Sequence, residues 1–164
     1  MTDHSPSAET IQNLKFEILN PTQLFGKLDR HDVGGLYSIG LANVHESLVR
    51  IGYLKETPEV WTGSHFHVYV GETYSLKARM RQHFGLDDEK SNFRSTLALV
   101  LGMDDERTKR YLIENAIVGW CYVDYMGDVE RDLIKKTACP LNVRGKGPSP
   151  FATRLRQLRR ASHG

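Results

Sequence analysis

Apolar and polar positions alternate most clearly over residues 65–70, HFHVYV. Phe66, Val68 and Val70 fall on one side, and His65, His67 and Tyr69 on the other, the two-residue period of a strand with one core-like face. Gly71 is expected to end that strand. Residues 33–41, VGGLYSIGL, read as an earlier strand, with two glycines that allow a sharp turn or a close backbone approach at its start. IVGWCYV, 117–123, reads as a third.

The period then changes to that of helices. Leu76, Met80 and Phe84 recur every four residues and predict a buried stripe on a helix over about Tyr74–Phe84. Thr73 or Ser75 can cap its start, and Gly85 suits its end. Arg79 and His83 lie one turn apart on the flank beside that stripe. Residues 91–101 predict a second helix ending at Gly102, and residues 104–116 a third that opens with acids, as the helix dipole favours. A helix over about Val129–Lys136 follows a capping Asp128 and must stop before Pro140. A basic helix covers about Phe151–Arg160. Residues 43–62 carry a weaker pattern, with a short helix near Val44–Ile51 and a break at Pro58. The first ten residues are polar and read as a disordered tail. Three strands with interspersed helices make a small α/β (α+β) domain.

A chain of 164 residues suits one domain with a modest core. No apolar run is long enough to span a membrane, and the polar start lacks the order of a signal peptide, so the expected compartment is the cytoplasm. Two cysteines, Cys121 and Cys139, are too few for a disulfide framework and read as packed thiols.

The net charge of +2 is uninformative until it is divided along the chain. Residues 143–164 hold six basic residues (Arg144, Lys146, Arg154, Arg156, Arg159, Arg160) and no acid, so the body before them is net negative. A basic end on an acidic body suits an anionic partner, nucleic acid first, or a solvated helix that maintains solubility. Charge alone does not choose.

Within VERDLIKKTACPLN, Glu130 shares a helix face with Leu133 and Ile134. A carboxylate there is partly desolvated and calls for a partner or a metal, unless the helix dipole and one water-facing oxygen satisfy it. His65 and His67 are spaced to bind zinc together, but no third ligand accompanies them, and they read as polar residues at the edge of a site.

These pieces occur in a definite order: GLY (35–37), YVG (69–71), Arg79-x-x-x-His83 on the following helix, then Glu130-x-x-Leu-Ile and a closing Pro-Leu-Asn at Asn142. That ordered set resembles the GIY-YIG nuclease family over roughly residues 33–142. The arginine–histidine pair is similar to that of its restriction-enzyme branch, as is the long separation of thirty-one residues between Tyr37 and Tyr69. The resemblance implies a central three-stranded, mainly antiparallel sheet flanked by helices. It implies a nuclease domain over 11–142 with an insertion at about 42–64, followed by a basic extension over 143–164.

The resemblance also implies an endonuclease that hydrolyses DNA with one Mg²⁺ or Mn²⁺ ion, of restriction or defence type, or else a binding module that has kept the fold without catalysis. Its site residues would be Tyr37, Tyr69, Arg79, His83, Glu130 and Asn142. Glu130 would hold the metal, and Asn142 would steady Glu130 or its neighbourhood by hydrogen bonds. Arg79 would grip the scissile phosphate. Tyr37 would act as base or orient the water. Its ordinary pKa of about 10 means it needs a nearby cation or a second base, and His83 could supply that help or act directly. Tyr69 would shape the site. Lys77, Arg81, Arg94, Arg154, Arg156, Arg159 and Arg160 are candidates for DNA phosphate contacts. A homodimer would suit cutting both strands of a palindromic site.

Overall fold

The structure is a computed structural model that describes residues 17–29, 34–42, 61–62, 65–87, 89–121, 141 and 150–162. Its strands are β1 (Glu17–Leu19), β2 (Gly35–Leu41), β3 (Trp61–Thr62), β4 (His65–Thr73) and β5 (Ala116–Cys121). They form one sheet in the order β1-β5-β2-β4-β3, antiparallel at every pairing. The three inner strands are the three expected from sequence. The sheet is larger by its two edges, β1 and β3, which are three and two residues long and too short to show a period. β3 pairs only with His65 and Phe66 at the start of β4, and β1 only with Val118–Trp120 of β5.

β2 lies between β5 and β4, and all seven of its residues are buried. A strand covered on both faces needs no polar alternation, and in GLYSIGL the one polar side chain, Ser38, is buried with the rest. Gly35 has φ +152° and sits against the Cys121 carbonyl, so the close approach expected of this glycine is made to β5. β4 does not stop at Gly71. It continues to Thr73 because Tyr37 pairs with Gly71 and Gly35 with Thr73, and the ladder to β2 runs on through the glycine. Between Ile39 and Gly40 the register shifts, with Tyr69 and His67 as their partners and Val68 as the extra residue of β4.

The helices are α1 (Pro21–Leu28), α2 (Leu76–Phe84), α3 (Asn92–Leu101), α4 (Asp105–Asn115) and α5 (Pro150–Ser162). Ser75, Ser91 and Asp104 cap α2, α3 and α4 by accepting from the backbone N–H three residues on, at 3.1, 3.0 and 2.8 Å. Gly85 and Gly102 end α2 and α3 in the left-handed conformation, with φ +75° and +66°. Ser91 therefore precedes its helix rather than opening it. The unexpected α1 does have a sequence signal: Asn20-Pro21-x-Gln23 forms a capping box with proline at the first helical position.

Leu76, Met80 and Phe84 are buried as their spacing requires, and they meet Leu24 and Leu28 of α1 and Phe93, Leu97 and Val100 of α3 in one core. α5 joins the same core through Leu155, with Leu158 partly buried beside it. Arg94 of α3 pairs with Asp105 of α4 at 2.8 Å and ties these helices together. Among the described residues no helix is long and apolar enough to cross a membrane. The expected tail at 1–10, the insertion at about 42–64 with its short helix near Val44–Ile51, and the helix near Val129–Lys136 lie, wholly or nearly so, outside the described residues.

Candidate active site

Tyr37 stands at the middle of β2, nearly fully buried, and its Oη lies 2.8 Å from His83 Nε2 on the last turn of α2. The reason these groups meet is steric as well as polar. Gly71, opposite Tyr37 on β4, lies directly beneath the phenol ring: a Cβ on it would come within 2.6 Å of Tyr37 Cζ. The glycine of YVG thus makes room for the tyrosine of GLY. Tyr69 packs beside them, its ring centroid 6.2 Å from Tyr37, 5.6 Å from His83 and 5.0 Å from Phe93. Phe93 closes the group edge-on to His83 at 5.2 Å. Tyr69 was expected on the polar side of its strand. It is half-buried in an aromatic cluster.

His83 differs more from expectation. It is 3% exposed and belongs to the buried face of α2 itself rather than to the flank beside the stripe. Its Nδ1 lies 2.7 Å from Ser91 Oγ, so both ring nitrogens are engaged. Burial pushes its pKa down to about 3, and the positive charges of Arg79 and Arg94 add to the shift. The imidazole is therefore neutral at ordinary pH.

Arg94 is not at a nucleic-acid surface. It is 7% exposed. Its Nη1 donates to the backbone carbonyls of Gln82 and His83, the latter at 3.3 Å, and its Nε donates to Asp105. A guanidinium placed on the last carbonyls of a helix satisfies groups that have no partner within it. Arg94 therefore fixes the end of α2 that carries His83.

Arg79, one turn before His83 on the same side of α2, reaches outward where His83 turns into the core. It lines a cleft of about 550 Å³ together with Tyr37, Tyr69, Glu72, Tyr74, Gln82 and Glu89. It is half-buried, its Nη1 is 3.3 Å from Gln82 Oε1, and Gln82 in turn donates to the Lys90 carbonyl at 2.7 Å. Arg79 is the one cation among the described lining residues. Tyr37, Tyr69 and Arg79 therefore open into one cleft, with His83 hydrogen-bonded beneath its floor. Glu72, Glu89, Gln82 and Ser91 escaped sequence reasoning. Glu72 follows Gly71 directly, and only the extension of β4 past that glycine brings it to the cleft.

Glu130 and Asn142 lie outside the described residues, although Leu141, beside Asn142, is buried and donates its N–H to the Val68 carbonyl at 2.9 Å. Among the described residues no three His, Cys, Asp or Glu side chains gather as a metal site. The lining still offers oxygen donors, the Glu72 and Glu89 carboxylates and nearby hydroxyls, while the His83 nitrogens are both engaged. That donor chemistry fits a hard ion such as Mg²⁺ or Mn²⁺ rather than zinc.

The other basic candidates sit apart from the floor. Lys77 pairs with Asp29 at 3.5 Å and Arg81 with Asp87 at 3.0 Å, both part-exposed. On α5, Arg154 and Arg160 are exposed and Arg156 and Arg159 are half-buried around the inward Leu155. Burial raises the pKa of the Cys121 thiol to about 11, as suits an unreactive packed cysteine.

A family model described as the GIY-YIG catalytic domain matches residues 35–161. The match runs into α5 as far as residue 161 and leaves β1 and α1 outside it. No curated protein and no solved structure matches the chain.

Proposed function

The chain belongs to the GIY-YIG catalytic-domain family, a family of nucleases, and from that premise we propose that it is a metal-dependent endonuclease that hydrolyses DNA phosphodiester bonds. The observation that supports this reading best is the convergence of Tyr37, Tyr69 and Arg79 on one cleft, above a histidine hydrogen-bonded to Tyr37. Hydrolysis needs a nucleophilic water, donors for the charge that builds on phosphate, and help for the leaving oxygen. Arg79 has the planar, forked donors that match phosphate oxygens, and it is the one cation among the described residues lining the cleft. Tyr37 holds or orients the attacking water, with its phenol fixed by His83 from below. Tyr69 bounds the pocket.

Glu130 would hold one Mg²⁺ or Mn²⁺, with Asn142 steadying Glu130 by hydrogen bonds, and the ion when bound would neutralise charge on the phosphate. The arginines of α5 follow the DNA backbone outside the cleft, which makes binding salt-dependent. The long connection between the two signature tyrosines fits a role in restriction or defence.

The test is incubation of supercoiled plasmid with the protein in Mg²⁺, Mn²⁺ and EDTA, beside Arg79→Ala and Glu130→Ala. Nicking or linearisation by the wild type with metal alone, lost in both folded variants, is expected. Binding without cutting in either metal, over plasmid and oligonucleotide substrates, would instead identify a binding module that has kept the fold.

A further inference from the structure

Ser91 Oγ makes two hydrogen bonds. It accepts from the Arg94 N–H at 3.0 Å, the ordinary work of an N-cap, and it lies 2.7 Å from His83 Nδ1. The side chain is shut off from solvent, with Ser91 only 1% exposed. A hydroxyl carries one hydrogen and two lone pairs. The Arg94 amide occupies one lone pair. Among the described residues, His83 Nδ1 is the acceptor within reach of the hydroxyl hydrogen. If Nδ1 carried its own hydrogen, Ser91 would accept twice and its hydrogen would face the interior unsatisfied, which native structures avoid. A neutral imidazole has one ring N–H, so satisfying Ser91 decides where that hydrogen is.

We infer that Ser91 is a positioning residue: it donates to His83 Nδ1, holds the imidazole hydrogen on Nε2, and so makes His83 the donor to Tyr37 Oη. The direction matters. A histidine that accepts from the phenol would draw the tyrosine proton toward itself. A histidine that donates leaves the phenol hydrogen directed elsewhere, and stabilises the oxygen whenever it bears negative charge. Tyr37 then works with a permanent N–H beneath it, and His83 does not store its proton. Burial of the imidazole agrees, because a second proton on this ring has no water to solvate it. The consequence for cutting rests on the nuclease reading above; the tautomer itself does not.

The experiment is side-chain ¹⁵N–¹H correlation on the full-length, isotope-labelled protein at neutral pH, with His83 assigned through bonds from its backbone. The expected spectrum shows Nε2 protonated and Nδ1 bare in the wild type and in Ser91→Thr, which keeps the hydroxyl. In Ser91→Ala the Nδ1–H form gains population. A wild-type His83 protonated on Nδ1, or averaged between the two forms, overturns the proposal. So does a folded Ser91→Ala that keeps Nε2–H unchanged, since a cap alone would not set the tautomer. Should Ser91→Ala fail to fold, the wild-type spectrum still decides.

In the plasmid assay, Ser91→Ala lowers kcat about tenfold with KM unchanged, and Ser91→Thr restores it. A wild type that shows the Nε2–H form but never cuts would sink the nuclease reading and leave the tautomer assignment intact.

Discussion

Arg79 and His83 are four residues apart on one helix and are built in opposite ways. His83 is buried, neutral, bonded at both nitrogens and held from behind by Ser91 and Arg94. Arg79 is charged, half-buried and tethered by one long bond to Gln82 at the wall of the cleft. The floor of the site is thus part of the core, and its rim is part of the surface. Tyr37 belongs to both, with its ring in the core and an edge in the cleft. A substitution in the floor should register first as lost stability, and one in the rim as lost activity with the fold intact.

The sharpest test of that contrast is Arg79→Ala. Removing a donor aimed at developing charge costs about 10²–10³-fold in cutting rate, roughly 3–4 kcal/mol in the barrier. The thermal midpoint should stay where it was; a large drop would show that Arg79 holds the structure and would erase the distinction.

His83→Ala is the opposite case. It opens a cavity and leaves Ser91 and Tyr37 each without one buried partner, for a loss of about 3 kcal/mol in denaturant unfolding. A variant as stable as the wild type would mean that the floor is not load-sharing with the core. Gly71→Ala probes the same floor from below. The new methyl must push against the Tyr37 ring, which is wedged between strand and helix, and a cost of about 2 kcal/mol with a displaced phenol is expected. Tyr37→Phe in the same background should recover little, because the ring itself is crowded along with the hydroxyl.

Acid distinguishes the two regions without mutation. The unfolded chain protonates His83 below its ordinary pKa of 6.5, whereas in the fold burial lowers that pKa to about 3. The unfolded state therefore binds more protons between those values, and stability falls as pH drops from 6.5 toward 3, by roughly 2 kcal/mol at pH 5. His83→Gln should remove that part of the slope. The smallest effect belongs to the surface. Arg81→Ala breaks an exposed pair with Asp87 and should shift stability by less than about 0.5 kcal/mol. Its influence, if it meets DNA, would be seen in the salt dependence of binding.

Much of this architecture was legible locally. The Leu76–Met80–Phe84 stripe, the capping serines and terminal glycines of α2 and α3, and the three inner strands follow from periodicity and backbone preference, which act over a few residues. α1 was legible too, through Asn20, Pro21 and Gln23, although its short apolar pattern hides it. β1 and β3 were not, since two or three residues carry no period and acquire strand geometry only from the neighbour they pair with. Arg94 shows the same limit from the other side. An arginine on a polar stretch reads as solvated, and only the packing of α3 against α2 turns it inward.

What the sequence determined by itself is therefore the set of groups and their order: two tyrosines on strands, an arginine and a histidine one helical turn apart, and the elements that carry them. Tertiary structure decided which of these groups share an environment. The extension of β4 through Gly71 brought Glu72 to the cleft, the Tyr37–Gly71 register put the phenol over bare backbone, and the approach of α3 buried His83 against Ser91. Those outcomes depend on contacts between residues far apart in the chain, whose distances no local period encodes, and they separate a neutral histidine in the floor from a charged arginine at the rim.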